Sequence, residues 1–268
     1  MKVNSKVVLV TGAAQGIGQS ITEYLIKKGD IVIATDYDKE SLGKYDSNEK
    51  IHTLLMDVTN QQSIETAVKE VNELFYGIDC LVNNAGLFFG GPLVEVSSTD
   101  MEKIFDVNVL GYVRVTKAFF SLLKKRKGRI VNISSEVGRI AFPFNGPYTM
   151  TKYAIEAFTD SLRRELMFLG MKVVAIQPGA INTSLPQKTV ESYQKYLENS
   201  EFEKEMSRVW GVLEKEKYAD PQYVANKVFR AIHKRKPRKR YRVKNNKQRR
   251  LLEFLPNSWA DFIIQNFL

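Results

Sequence analysis

Short apolar runs alternate with helical stretches along almost the whole chain. Strands are expected near 6–11, 31–35, 51–56, 79–83, 129–134, 172–177 and 240–243, and helices near 16–28, 61–75, 99–126, 148–169 and 220–234. Runs such as Val7-Val8-Leu9-Val10 are apolar at every position, so they read as strands buried on both faces. Strands separated by helices pair in parallel and carry the helices on the sheet's two faces. The expected fold is therefore α/β: a doubly wound parallel sheet of about seven strands, in one domain spanning 1–268. A chain of 268 residues is long enough to bury a substantial single core.

The first strand runs directly into Thr11-Gly12-Ala13-Ala14-Gln15-Gly16-Ile17-Gly18, and a helix from Ser20 to Lys28 follows. A glycine-rich turn at such a junction lets backbone approach a pyrophosphate, while the helix N-terminus supplies N–H groups and a positive dipole end. Gly12 and Gly16 stand four apart, not two as in the commonest dinucleotide fingerprint.

Tyr148 and Lys152 lie at the front of a later helical run, in Tyr148-Thr149-Met150-Thr151-Lys152. A spacing of four puts both side chains on one helix face, about one turn apart. A free tyrosine has a pKa of about 10 and is a poor acid–base catalyst at neutral pH. An ammonium beside it favours the phenolate, so the pair is expected to lower the Tyr148 pKa toward working range.

The spacing Thr-Gly-x3-Gly-x-Gly resembles that of the short-chain dehydrogenase/reductase family. The likeness continues through Asn83-Asn84-Ala85-Gly86, Asn108-Val109-Leu110-Gly111, Ile133-Ser134-Ser135, Tyr148 to Lys152, and Gln177-Pro178-Gly179. These landmarks run in family order from residue 7 to about 183. The resemblance implies hydride transfer between a nicotinamide cofactor and a secondary alcohol or ketone. It implies Tyr148 as general acid/base, Lys152 on the nicotinamide ribose, and Ser135 as hydrogen-bond donor to the substrate oxygen. Ser134 is adjacent, but side chains alternate along a strand and Ser135 has the family's spacing to the tyrosine. Asn108 would hold a water linking Lys152 to solvent, and the helix around it is expected to bend. Gly12, Gln15, Gly16, Ile17 and Gly18 would cradle the cofactor. Asp57 and Val58 would meet its adenine, and Asn84, Ala85 and Gly86 would line the cleft. Pro178, Gly179, Ile181 and Thr183 belong to the stretch that meets the carboxamide.

Asp36 closes the second strand, where a carboxylate can accept from the adenosine ribose hydroxyls and would repel a 2′-phosphate. Gln15 and Tyr37 occupy positions that are often basic in relatives using the phosphorylated cofactor, and Lys39 is read as the only nearby base, solvated. NAD is favoured over NADP. Two other classes are weighed: an epimerase or dehydratase on a related fold, and a non-catalytic dinucleotide sensor or scaffold. Those relatives usually differ in glycine spacing, or have lost the Tyr, Lys or Ser.

No metal site is expected, because His52 and His233 are isolated and Cys80 is read as a small buried residue in a strand. The short lead-in Met1 to Ser5 suggests a cytoplasmic protein. Thr99-Asp100-Met101-Glu102 reads as a capping box opening the long middle helix. Residues 184–218 are expected to cover the substrate. Phe88, Phe89, Phe142, Phe144 and Leu185 suggest an apolar pocket for a lipophilic ketone or alcohol. The run Phe142 to Tyr148 looks like the hydroxysteroid and retinol dehydrogenase branch. The helix from Tyr148 to Leu169 has apolar residues on more than one face, with Ile155, Leu162 and Leu166 packing inward and Ala154, Phe158 and Met167 projecting elsewhere, so a homodimer or tetramer is expected.

The net charge of +10 is very uneven. Residues 234–250 hold eleven of the forty Lys and Arg and no acid; the other twenty-nine face thirty Asp and Glu. An apolar stretch follows, Leu251 to Leu268, which Pro256 should split into two short helices. Such a basic and apolar extension, 234–268, can touch an anionic membrane surface, or it can pack on the body with its bases solvated. No nucleic-acid partner is expected.

Overall fold

A computed structural model describes residues 5–183, 194–198, 200–213 and 216–267. Among these, seven parallel strands form one sheet: β1 (Val7–Thr11), β2 (Ile31–Asp36), β3 (Ile51–Leu55), β4 (Cys80–Asn83), β5 (Arg129–Ile133), β6 (Lys172–Pro178) and β7 (Arg240–Val243). Their spatial order is β3-β2-β1-β4-β5-β6-β7. The winding reverses between β1 and β4, where Val8, Leu9 and Val10 lie opposite Cys80, Leu81 and Val82. A crevice opens at that point beyond the carboxyl ends of the strands, the usual ligand position in such sheets.

The helices are α1 (Gly16–Lys27), α2 (Lys39–Leu42), α3 (Gln61–Phe75), α4 (Ser98–Phe105), α5 (Gly111–Lys125), α6 (Gly146–Leu166), α7 (Glu203–Leu213), α8 (Gln222–His233), α9 (Lys247–Leu252) and α10 (Asn257–Phe267). Side chains of β1 alternate between two cores. Val8 and Val10 meet Ile21 and Leu25 of α1 and Val224 and Val228 of α8. Val7 and Leu9 meet Ile64 and Val71 of α3 and Val115 and Phe119 of α5. Burial on both faces is why these strands are apolar at successive positions.

Two helical expectations need correction. The cap of α4 is Ser97, not Thr99: its hydroxyl accepts from the Asp100 N–H at 3.2 Å, so the helix starts earlier. The run expected as one helix over 99–126 is two helices joined by a π turn, Asp106–Leu110. Asn108 lies in this wide turn, which accommodates an extra residue inside the helical path. Pro256 separates α9 from α10, as its missing N–H demands.

Three bases of the basic stretch are paired, while the other eight are exposed as expected for solvated ones. Arg240 reaches Glu156 at 2.7 Å and Asp160 at 2.8 Å, Arg242 reaches Glu253 at 2.6 Å, and Arg249 reaches Glu136 at 3.1 Å and also Glu216. These arginines fasten β7 and the C-terminal segment to the body.

Candidate active site

Backbone geometry at the β1–α1 junction requires glycine. Gly12 has φ +63°, and a Cβ there would lie 2.9 Å from the Ala85 Cα. A Cβ at Gly18 would fall 1.9 Å from the Gly12 carbonyl oxygen. The Asn84-Ala85-Gly86 stretch braces this turn from the next strand. Thr11 Oγ1 accepts from the N–H groups of Asn84 and Ala85 at 2.9 and 3.0 Å. Asn84 Nδ2 donates to the Thr11 and Gly12 carbonyls at 2.9 and 3.0 Å.

A cleft of about 500 Å³ runs from this turn across the sheet's carboxyl edge. Its near wall carries Gly12, Gln15, Gly16 and Ile17. Asp36, Asp57 and Val58 line one end, and Ser135, Tyr148 and Lys152 line the other. Asn84, Ala85, Gly86, Pro178, Gly179, Ile181 and Thr183 complete the lining. Seventeen expected positions, at the ends of six strands and on α6, thus meet in one cleft. Gly18 stands behind the wall, and Asn108 behind the floor.

The cleft suits a dinucleotide on its own geometry. The first glycines leave backbone where a side chain would otherwise project, at the N-terminus of a twelve-residue helix. The Asp36 carboxylate is 3% exposed and accepts from the Ala14 N–H at 3.0 Å and the Asp38 N–H at 3.3 Å. A carboxylate offers about four lone-pair sites, so it retains capacity for ribose hydroxyls. The nearby bases need correction. Lys39 is exposed, but Lys44 also reaches the site, donating to the Ala14 carbonyl and to Gln19 Oε1, the latter at 3.3 Å.

At the other end, α6 presents Tyr148 and Lys152 side by side. Lys152 Nζ lies 5.3 Å from the Tyr148 ring centroid and donates to the Ile133 carbonyl at 3.0 Å. The Tyr112 hydroxyl donates to the same carbonyl at 3.1 Å. With protein groups alone, burial governs both members of the pair. It pushes the Tyr148 hydroxyl above the usual phenol range, opposed by a hydrogen bond with Ser135. It pulls Lys152 down to about 8, opposed by the Glu156 carboxylate one turn along. The expected depression of the tyrosine by the lysine is therefore absent, because the ammonium is itself desolvated and turned to a carbonyl.

Ser135 is the serine beside the phenol. Its Oγ also accepts from the Val137 N–H at 3.3 Å, at the start of a 3₁₀ turn over Glu136–Gly138. Ser134 Oγ is buried without a hydrogen-bond partner and packs where a Gly138 Cβ would be only 2.8 Å away. The Asn108 amide is fully buried. It accepts from the Leu87 N–H at 2.7 Å and donates to the Leu87 carbonyl at 2.9 Å and Thr151 Oγ1 at 3.1 Å. Thr151 in turn donates to the Tyr148 carbonyl at 2.7 Å. The side chain of Asn108 thus ties the cleft floor to the helix that carries the tyrosine.

The apolar end forms a separate cluster of Phe88 and Met206, with Phe144, Tyr148, Tyr196, Leu197 and Trp210 packed on it. The Phe88 and Tyr148 ring centroids are 5.1 Å apart. Phe142 was expected here, but it lies against the Arg249 guanidinium, 5.5 Å away. Phe89 is half-buried outside this cluster, and Leu185 lies outside the described residues. Sequence reasoning missed Met206, and it missed a buried amide relay behind the site. In that relay Asn83 Nδ2 donates to Thr116 Oγ1 and Asn132 Oδ1, and Asn132 Nδ2 donates to Thr159 Oγ1. Asparagines inside apolar strand runs were its only signal. No cluster able to hold a metal occurs among the described residues.

The family described as short chain dehydrogenase matches residues 6–194. Short-chain dehydrogenase/reductase family 9C member 7 of Mus musculus is 32% identical over 99% of this chain and 91% of its own. An NADPH-dependent 3-dehydrocapnine reductase of Ornithobacterium rhinotracheale is 34% identical over 88% of this chain and 87% of its own. Among solved structures, a short-chain dehydrogenase from Streptomyces avermitilis superimposes with a TM-score of 0.81 at 26% identity, covering 98% of this chain and 96% of that one.

Proposed function

The chain belongs to the short-chain dehydrogenase/reductase family of NAD(P)-dependent oxidoreductases, and on that premise we propose that it interconverts a secondary alcohol and a ketone with Tyr148 as general acid/base. The observation that carries this reading is the convergence of Tyr148, Ser135 and Lys152 at one end of a cleft whose other end is a glycine turn.

The nicotinamide cofactor supplies or accepts the hydride when bound. The chain's own part is proton transfer and orientation. Tyr148 Oη gives its proton to a substrate carbonyl oxygen in reduction and takes one from the alcohol in oxidation. Ser135 Oγ, already hydrogen-bonded to that hydroxyl, donates to the same substrate oxygen and stabilises charge developing there. Lys152, whose amine is drawn down to about 8 and donates to the Ile133 carbonyl, would hold the nicotinamide ribose of a bound cofactor, and the Tyr148 phenolate would be favoured by an oxidised nicotinamide held there. Asn108 contributes by fixing Leu87 and Thr151, and a water held beside it would complete a path from Lys152 to solvent. The aromatic cluster around Phe88 excludes water and favours an apolar substrate.

NAD(H) is the proposed preference, because the buried Asp36 carboxylate opposes a 2′-phosphate. Lys44 beside Ala14 is the group that could oppose it. One experiment tests the assignment: cofactor absorbance over a panel of apolar alcohols and ketones, with both NAD(H) and NADP(H). Turnover with NAD(H), abolished in Tyr148→Phe while NADH binding persists, supports it. Tyr148→Phe activity within a few-fold of wild type would sink the tyrosine's role. A wild-type preference for NADP(H) would sink the cofactor assignment.

A further inference from the structure

The last two helices leave an apolar face turned away from the body. Leu251, Phe254, Trp259 and Phe262 are 65%, 71%, 66% and 62% exposed. They recur at a spacing of three on either side of Pro256: Leu251 on α9 and Phe254 in the turn just after it, and Trp259 and Phe262 on α10. The inward side is already used. Ala260, Ile263 and Ile264 are half-buried, Glu253 is paired with Arg242, and Arg208 of α7 donates to the Asn266 carbonyl at 3.4 Å. These contacts fix which face points out. Lys247 and Arg250 are exposed on the same segment, and Lys234, Arg235, Lys236, Arg238 and Lys239 are exposed or nearly so in the preceding one. The rest of the chain carries almost no net charge.

We propose that α9 and α10 form a peripheral docking surface for an anionic phospholipid bilayer, with the four apolar side chains entering the interface and Lys247 and Arg250 meeting the headgroups. The charge decides among occupants. A two-fold copy of this face would set Lys247 and Arg250 against their own images, whereas an anionic surface attracts both. Each such base contributes on the order of 1 kcal/mol near an anionic leaflet, or about fivefold in partitioning. No helix among the described residues is long and apolar enough to cross a membrane, so the contact is interfacial. Arg208 links α10 to α7, whose Met206 packs against Phe88 beside the cleft. The docked face therefore lies one helix away from the apolar end of the site.

The test needs no substrate. The full chain is sedimented with phosphatidylcholine vesicles, with and without phosphatidylserine, at low and high salt. Binding on the order of 25-fold tighter to the serine-containing vesicles, about fivefold for each of two bases, weakened by salt, is expected. The variant Lys247→Glu/Arg250→Glu should lose at least about 25-fold and Trp259→Ser/Phe262→Ser at least about tenfold, with unfolding midpoint and NADH binding unchanged. Absence of binding to anionic vesicles overturns the proposal. So does equal binding by both variants, or a soluble dimer that Trp259→Ser/Phe262→Ser dissociates in a chain that ignores vesicles.

Discussion

At the scale of single residues, Lys152 shows the tension between stability and chemistry most clearly. Its amine is 4% exposed, and burial lowers its pKa from 10.5 to about 8. Between those values the unfolded chain binds the extra proton and the folded chain does not, so stability rises with pH across that window. Below pH 8 the full penalty of a buried ammonium is present. Lys152→Met should therefore abolish turnover yet raise stability at pH 7, by up to about 3 kcal/mol. The Ile133 carbonyl keeps a donor in the Tyr112 hydroxyl, so the substitution leaves no orphaned acceptor. Denaturant unfolding at pH 7 and pH 10 reads this: the variant's advantage should shrink at the higher pH. An equal or lower stability at pH 7 would show that the hydrogen bond outweighs desolvation. Ser135→Ala should cost far more activity than Ser134→Ala, since only Ser135 Oγ meets the phenol. The reverse order in initial rates would reassign the two serines.

At the scale of elements, much was legible and some was hidden for definite reasons. The inner strands were the easiest to read because both their faces are buried, leaving runs such as Val7 to Val10 without polar interruption, whereas the edge strands β3 and β7 are only partly buried and carry polar residues. The glycine turn was legible because only glycine fits it. The start of α4 was not, because Ser97, Ser98 and Thr99 are all competent caps and only the Asp100 N–H chooses between them. The π turn at Asn108 leaves no mark in residue spacing. Lys44 and the burial of Tyr148 are tertiary facts: one depends on a short helix folding back on the glycine turn, the other on Phe88. The segment after β6 is tethered rather than simply draped. Tyr196 and Lys195 both contact the Asp100 carboxylate, and Ser200 Oγ donates to Glu95 at 2.7 Å. Asp100→Ala removes one anchor of this cover. Limited proteolysis within 194–213 should then speed up several-fold while NADH affinity, measured by fluorescence, stays constant. Unchanged cleavage would mean that the Glu95 anchor and the Met206 packing hold the cover alone.

At the scale of the whole molecule, the outer face of α6 bears on assembly. Of the residues expected on a second face, Ala154 and Phe158 are half-buried and Met167 is well exposed. The exposed stripe lies one position over: Met150, Tyr153 and Ala157 follow one another at helical spacing, the polar Ser161 and Arg164 continue that face, and Phe168 is exposed just past the helix end. Leu110 and Val113, beside the π turn and on α5, are exposed as well. A helix with an apolar stripe on both its inner and outer sides needs a second partner. We propose an isologous contact between copies through α5 and α6, in which Ala157 sits where two identical helices cross and only a small side chain allows close approach. Such an interface would need to bury on the order of 1,200–2,000 Å² to be stable. Light scattering should give a dimer or tetramer for the wild type at micromolar concentration, and a monomer for Ala157→Arg. Two arginines brought face to face are repelled and overfill the crossing, while the cleft, on the other side of α6, keeps its NADH affinity. A monomeric wild type would refute the contact, and an Ala157→Arg variant with wild-type mass would place the interface on another face.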